Sequence, residues 1–110
     1  MSELVVVLTT VPADFDAAGL AQDLVTAGLV ACVTILPGVT SVYMWDGTPQ
    51  VDREQQLVMK TSAAATDALL EVLRTRHPYE LPEFIVLPIA GGSEDYLAWV
   101  EKSVGPQRES

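Results

Sequence analysis

Residues 32 to 61 read CVTILPGVTSVYMWDGTPQVDREQQLVMKT, and this stretch decides the fold. Two long runs of β-favouring residues meet at Asp46-Gly47, a dipeptide that accepts the positive φ angles of a tight hairpin turn. Residues 32 to 45, extended at about 3.3 Å each, span about 45 Å, whereas a compact chain of about 100 residues is roughly 35 Å across. The stretch therefore predicts a hairpin that extends beyond its own domain.

The tip of this hairpin is apolar, with Val42, Tyr43, Met44 and Trp45 in succession. An overhanging tip of this kind exposes apolar surface and unpaired strand edges, which a soluble protein normally covers with a partner. We therefore expect an oligomer.

The chain before the hairpin predicts one strand and one helix. Residues 4–11 are apolar on both alternating faces, as in a central strand covered on each side, and Pro12 ends the run. Asp14 or Asp16 can cap the helix that follows, and Gly28 suits the left-handed position after its last turn. The helix is amphipathic and is expected to cover the sheet.

The remaining elements are predicted from the prolines, glycines and capping residues that separate them. Pro37-Gly38 removes a ladder donor and predicts a bulge in the second strand. A third strand is expected over about 51–61, a second helix from Thr61 or Ser62 to Arg76, and a fourth strand over 83–88. A third helix is expected after the capping Ser93, with Tyr96, Leu97 and Val100 on its apolar face. The tail over about 103–110 is expected to be frayed.

The order βαββαβ with an additional C-terminal helix predicts an α+β sandwich, with helices on one face of an antiparallel sheet. At 110 residues the chain is one domain. If the first strand is apolar on both faces and helices cover only one, a neighbouring subunit is the simplest cover for the other.

The composition excludes several classes of function. Fifteen acidic against six basic residues give a net charge of -9, which repels phosphate backbones and anionic lipid surfaces, so we expect neither a nucleic-acid nor a membrane partner. No apolar run reaches the 18 or more residues of a membrane span, and the N-terminus lacks the pattern of a signal peptide. The single cysteine, Cys32, is compatible with a reducing compartment. A cytoplasmic location is expected.

A set of short segments occurs here in one order: Ala31-Cys32-Val33, Pro37-Gly38-Val39-Thr40-Ser41-Val42-Tyr43, Trp45-Asp46-Gly47, Lys60-Thr61, His77-Pro78-Tyr79-Glu80, Pro82-Glu83 and Tyr96-Leu97-Ala98-Trp99. Together they closely resemble the CutA family of divalent-cation tolerance proteins, from about residue 4 to residue 102. The resemblance implies a ferredoxin-like subunit related in fold to the PII signalling proteins. It also implies a homotrimer whose long hairpins pack against adjacent subunits.

The resemblance further implies a link to divalent metals, copper especially. The bacterial copper-site pattern, one thiol in the first strand and two adjacent histidines after the second helix, falls here on Thr9, Arg76 and His77. A hydroxyl is a poor ligand for Cu(I) and a guanidinium does not coordinate, so only His77 offers a ligand for Cu²⁺ or another divalent cation. The alternative for His77 is a helix-terminal residue with its ring near the last carbonyls. Cys32 is expected to pack as a small hydrophobe.

A second candidate site is a cleft between subunits. In a trimer built by hairpins, polar strand residues, tip aromatics and the loop after the second helix can line one cleft, where small-molecule sites often form. The residues predicted to line it are Tyr43, Trp45, Glu54, Lys60, Tyr79 and Glu83. The alternative is that Glu54 and Lys60 form an ion pair while the aromatics fill an interface. The run Asp52-Arg53-Glu54 is expected to be solvated strand surface.

No nucleophile elbow, phosphate loop or zinc spacing is present, so the sequence does not predict an enzyme. The leading hypothesis is a non-enzymatic trimer that binds a metal ion or a small ligand at clefts between subunits and acts in the response to metal ions. The alternative is a PII-like signalling or scaffold trimer that binds partner proteins, with metal incidental.

Overall fold

The computed structural model describes residues 3–105, and the predicted order of elements is confirmed there. The elements are β1 (Leu4–Pro12), α1 (Ala17–Thr26), β2 (Cys32–Trp45), β3 (Thr48–Ser62), a short 3-10 turn (Ala63–Ala65), α2 (Thr66–Arg76), β4 (Ile85–Pro88) and α3 (Glu94–Ser103). The predicted frayed tail lies largely outside the described residues, since 106–110 are not among them. No helix in the described part of the chain is long and apolar enough to cross a membrane.

The long hairpin forms as predicted. Strands β2 and β3 pair antiparallel from Cys32 opposite Lys60 to Trp45 opposite Thr48. Asp46 and Gly47 both have positive φ, 52° and 76°, as a two-residue hairpin turn of type I′ requires. The described chain measures 51 × 28 × 22 Å, so the hairpin does overhang the domain.

The predicted bulge is also present. The β2–β3 register shifts between Leu36 and Val39, and Gly38 between them has φ of 71°, a conformation that favours glycine. The bulge divides the hairpin into a half that belongs to the sheet and a half that projects from it.

The four strands form one antiparallel sheet in the order β2-β3-β1-β4. Helices α1 and α2 cover one face, where a single core buries the alternate residues of β1 and β3 with leucines of both helices. The core consists of Val5, Val7, Val11, Ala17, Leu20, Leu24, Val30, Leu57, Met59, Leu69 and Leu73. Asp16 caps α1 as predicted, because its carboxylate accepts a hydrogen bond from the Gly19 amide at 3.0 Å.

The second face of the sheet, called here the open face, is not bare. Val100 of α3 packs with Leu4 and Ala31 in a second, smaller core at one end of this face. The prediction that helices cover only one face is therefore wrong for α3. The rest of the open face stays exposed, since Ile85 and Leu87 each keep more than two fifths of their surface accessible.

Three local predictions need correction. β4 begins at Ile85 and not at residue 83. α2 has no side-chain cap, because Thr61 instead donates its hydroxyl to the Leu29 carbonyl at 2.6 Å and a 3-10 turn precedes the helix. Tyr96 of α3 is exposed and not part of a buried apolar face, and its hydroxyl lies 3.7 Å from the sulfur of Cys32.

Candidate functional site

A cavity of about 710 Å³ lies between the projecting half of the hairpin and the loop that follows α2. We call it the hairpin groove. It is lined by Thr10, Ser41, Val42, Tyr43, Trp45, Gln50, Glu54, Tyr79, Glu80, Leu81, Pro82 and Glu83. Five of the six residues predicted to share a cleft are therefore brought together, and they come together within a single chain.

Strand alternation explains which hairpin residues reach the groove. Tyr43 lies opposite Gln50, and Val39 lies opposite Glu54, so most groove-lining residues of β2 and β3 share one face of the ladder. The exception is Val42, which pairs with Val51 on the alternate face. Pro12 of β1 lies opposite Glu54 and continues the same face. The groove therefore lies on the open face, at the end away from α3.

Glu54 is the deepest charged residue of the groove, with 4% of its surface exposed. The Tyr79 hydroxyl donates a hydrogen bond to its Oε2 at 2.5 Å. The expectation that residues 52–54 are solvated strand surface is wrong for Glu54, because the loop after α2 covers it and Pro12 lies beside it, whereas Arg53 is exposed as expected. The expected ion pair with Lys60 is not formed within the chain, since the described ion pair joins Arg76 to Asp23.

The two tyrosines of the groove donate to carboxylates. Burial raises the pKa of Tyr79 well above its usual range, and the hydrogen bond to Glu54 raises it further. The Tyr43 hydroxyl donates to the Asp52 carboxylate, and this hydrogen bond raises the pKa of Tyr43. Both phenols therefore remain protonated hydrogen-bond donors at neutral pH.

His77 holds the loop in place. Its Nε2 lies 2.7 Å from the Thr10 carbonyl and donates to it, while its Nδ1 accepts from the Tyr79 amide at 3.1 Å. The ring is buried and stands 5.0 Å from the ring of Tyr79. Both nitrogens are therefore engaged, which leaves no lone pair for a metal ion in this arrangement.

The other two positions of the copper-site pattern do not approach this ring as ligands. Thr9 points into the helix-covered core, where its buried hydroxyl makes no hydrogen bond with any described residue. Arg76 donates to the Asp23 carboxylate of α1 at 3.0 Å. Among residues 3–105 no group of three or more His, Cys, Asp or Glu side chains is placed to hold a metal ion. The residues present do not fit a copper site.

Lys60 is the predicted cleft residue that does not line the groove. It lies on the open face near α3, with its Nζ 3.8 Å from the sulfur of Cys32 and 5.8 Å from the ring centre of Tyr96. Cys32 is half-buried and also lies 3.7 Å from the Tyr96 hydroxyl. This group is called here the lysine cluster.

Sequence reasoning missed several groove residues. The lining residues not singled out for the cleft from the sequence are Thr10, Ser41, Val42, Gln50, Glu80, Leu81 and Pro82, although the loop that holds residues 80–82 was expected at the cleft. Asp52, the partner of Tyr43, was also not singled out. The register of the hairpin could have identified Gln50 and Asp52 from the sequence. Counting outward from Asp46-Gly47 pairs Tyr43 with Gln50 and places Asp52 one same-face step further along β3.

Comparison with known proteins gives consistent results. The sequence profile described as CutA1 divalent ion tolerance protein matches residues 5–103. A protein named divalent-cation tolerance protein CutA from Citrobacter koseri is 44% identical over 102 residues, which cover 93% of this chain and 89% of that protein. The homologue of the same name from Salmonella newport is 42% identical over the same share of each chain.

Solved structures agree with the fold. The divalent cation tolerance protein from Thermus thermophilus superposes with a TM-score of 0.89 at 43% identity, covering 93% of this chain and 99% of that one. CutA1 from Oryza sativa superposes with a TM-score of 0.90 at 42% identity, covering 99% of this chain and 97% of that one. The predicted ferredoxin-like fold with its long central hairpin is confirmed.

Proposed function

This chain belongs to the CutA1 divalent ion tolerance family, and from that premise we propose that it works as a non-enzymatic homotrimer with one ligand site in each hairpin groove. Divalent-cation tolerance is the role named for its relatives. The main support for the ligand site is that the carboxylate of Glu54 is buried beside a cavity of about 710 Å³.

The exposed surface supports the trimer. Val42, Met44 and Val51 at the hairpin tip each keep more than three fifths of their surface accessible in the single chain. Ile85 and Leu87 of the open face are also exposed. A single compact subunit cannot cover a projecting tip, whereas neighbouring copies can bury both surfaces. We propose that each tip packs on the next subunit and that the groove lies at that boundary.

The non-enzymatic part of the proposal follows from the state of the groove residues. A phenol whose pKa is raised is a poor general base, and Tyr43 and Tyr79 both donate to carboxylates. The groove holds polar and aromatic side chains that suit binding more than proton transfer.

Copper, the cation implied by the resemblance, finds no assembled ligand set in residues 3–105. We therefore propose that the role in metal tolerance acts through a ligand of the groove and not through a metal ion held at His77. The matching experiment is calorimetric titration of the tag-free protein with Cu²⁺ and Zn²⁺, repeated on His77→Ala. We expect the two proteins to give the same weak isotherms. A site lost in His77→Ala alone would overturn this part.

Light scattering tests the assembly. We expect a mass three times the 11.8 kDa chain mass. The variant Met44→Asp places a charge on the exposed tip and is expected to lower the mass, while Glu71→Gln on the outer side of α2 is the control and should leave it unchanged. A monomeric mass for the unaltered protein would contradict the trimer.

A second candidate function is a PII-like scaffold that binds partner proteins. The observation in its favour is the exposed Leu81 at the rim of the groove, which keeps 73% of its surface accessible. Cross-linking in cells, compared between the unaltered protein and Leu81→Ser, tests it by whether one partner is lost. We place the protein in the cytoplasm in either case, and cell fractionation tests this location.

A further inference from the structure

The buried carboxylate of Glu54 has no positively charged partner in the described part of the chain. Its hydrogen bond comes from the neutral hydroxyl of Tyr79. Within residues 3–105 no lysine, arginine or histidine forms an ion pair with it. Buried charges in proteins are normally paired with an opposite charge or with a bound ion, because removing a charge from water is costly. Glu54 therefore has the character of a site that a cation completes.

The other residues that line the groove are also suited to bind a cation. Glu80 and Glu83 add two carboxylates to the lining, and none of the described lining residues is basic. Three aromatic side chains, Tyr43, Trp45 and Tyr79, form much of the wall. Carboxylates and aromatic faces together are the surfaces that attract organic cations, by charge and by cation–π contact.

The volume of the groove and the spacing of its carboxylates favour an organic cation over a metal ion. The volume of about 710 Å³ falls within the range of small-molecule pockets, about 300–1,000 Å³. A metal ion instead needs several ligands converging on one point at roughly 2.0–2.6 Å. Although three glutamates line the groove, no three metal-ligating side chains of the described residues converge in this way. The carboxylates are spread along a surface and suit an extended ligand.

We propose that the hairpin groove binds a small aliphatic cation, with an ammonium or guanidinium group seated against Glu54 and the aliphatic part packed on Trp45. This inference rests on the proposed function, in that it takes the groove as the ligand site. It adds the chemical class of the ligand. Glu80 and Glu83 extend the negative potential along the groove, so a cation with charge at both ends binds better than one with a single charge.

The test uses agmatine, which carries an ammonium and a guanidinium group, and 1,5-pentanediol as an uncharged chain of similar length. Calorimetry on the assembled protein gives stoichiometry and affinity. Trp45 fluorescence in a Trp99→Phe background reports the groove separately, since Trp99 lies on α3 against Tyr96. We expect saturable binding of one agmatine per chain with a change in Trp45 fluorescence, and no binding of the diol.

Two matched variants assign the binding to the groove. Glu54→Gln keeps the shape and removes the charge, and it should weaken agmatine at least about tenfold, as loss of one partner of a buried charge pair does. Glu71→Gln removes the same charge from the exposed surface of α2 and should change affinity by less than about twofold. Equal effects of the two variants would show diffuse attraction to a chain of net charge -9 and would overturn the inference.

Two further outcomes are decisive. If Glu54→Gln does not fold, Glu80→Gln on the exposed loop replaces it, with an expected loss of about threefold, and unchanged affinity there overturns the inference. Absence of agmatine binding to a protein of trimeric mass overturns the inference and leaves the proposed assembly standing. A monomeric mass overturns the assembly instead, whatever agmatine does.

Discussion

The two ends of the open face each combine a tyrosine with a charged residue of β3, but they differ in burial. In the hairpin groove Glu54 is 4% exposed and accepts a 2.5 Å hydrogen bond from Tyr79. In the lysine cluster the half-buried Lys60 only approaches the ring of Tyr96, at 5.8 Å from its centre. The difference teaches that a shared strand and a shared face do not make a shared site.

The separation has a simple geometric cause. Glu54 and Lys60 are six residues apart on one strand, which places them about 20 Å apart along the sheet. The loop after α2 covers the first residue, and α3 lies against the second. The groove end is thus a buried, hydrogen-bonded arrangement, whereas the lysine cluster is a looser surface arrangement. We therefore expect substitutions at the groove end to lower the free energy of unfolding more than substitutions in the lysine cluster.

The largest effect is expected from His77→Ala, which removes the support of the groove end. The change leaves the Thr10 carbonyl and the Tyr79 amide without their partner, at about 1–3 kcal/mol for each buried group left unsatisfied. We expect the free energy of unfolding to fall by about 3 kcal/mol in a urea titration at fixed protein concentration. The control is Arg76→Ala, which breaks an exposed ion pair and should cost less than about 1 kcal/mol. Equal losses would contradict the assigned role of His77.

Next is the pair Tyr79→Phe and Tyr96→Phe, which removes one hydroxyl from each end of the open face. The first deprives a buried carboxylate of its hydrogen bond and should cost about 2 kcal/mol. The second removes only a long contact to the sulfur of Cys32, and the expected cost is below about 0.5 kcal/mol. Urea titration of both variants measures the difference, and a reversed order would break the comparison between the two ends.

A smaller effect is expected from Lys60→Met, which keeps the aliphatic stem and removes the charge of the lysine cluster. The lost cation–π contact at a partly exposed position should cost about 0.5–1 kcal/mol. Agmatine affinity should stay within about twofold, because Lys60 does not line the groove. A large change in affinity would place Lys60 in the site after all.

The last effect develops only at alkaline pH and is absent at neutral pH. The pKa of Tyr79 is raised in the folded chain, by burial first and by Glu54 next, so above pH of about 10 the unfolded chain releases this proton before the folded chain does. The contribution to stability is present below that pH and declines as pH rises further. We expect the unfolding free energy of the unaltered protein to fall more steeply above pH of about 10 than that of Tyr79→Phe. Parallel curves would argue against the buried hydrogen bond.

Most of the hairpin was predictable because its signals are local. Asp46-Gly47 fixes a turn through the φ angles it tolerates, and Gly38 with Pro37 marks the bulge through a missing donor and a left-handed backbone. Once the turn is placed, strand alternation assigns each hairpin residue to a face. Tyr43, Trp45 and Glu54 line one groove within the chain, whereas the sequence analysis expected them at a cleft between subunits.

The sequence by itself thus determined the order of elements, the overhanging hairpin and the family, because turn chemistry, periodicity and motif order act over short stretches of chain. Only the tertiary structure decided that Glu54 is buried, that Lys60 belongs to another cluster, and that α3 lies on the open face. Only the tertiary structure, too, engaged both nitrogens of His77 with the backbone. These outcomes depend on contacts between residues far apart in the chain. The sequence pattern of neighbouring residues does not specify which distant segment packs over a given side chain.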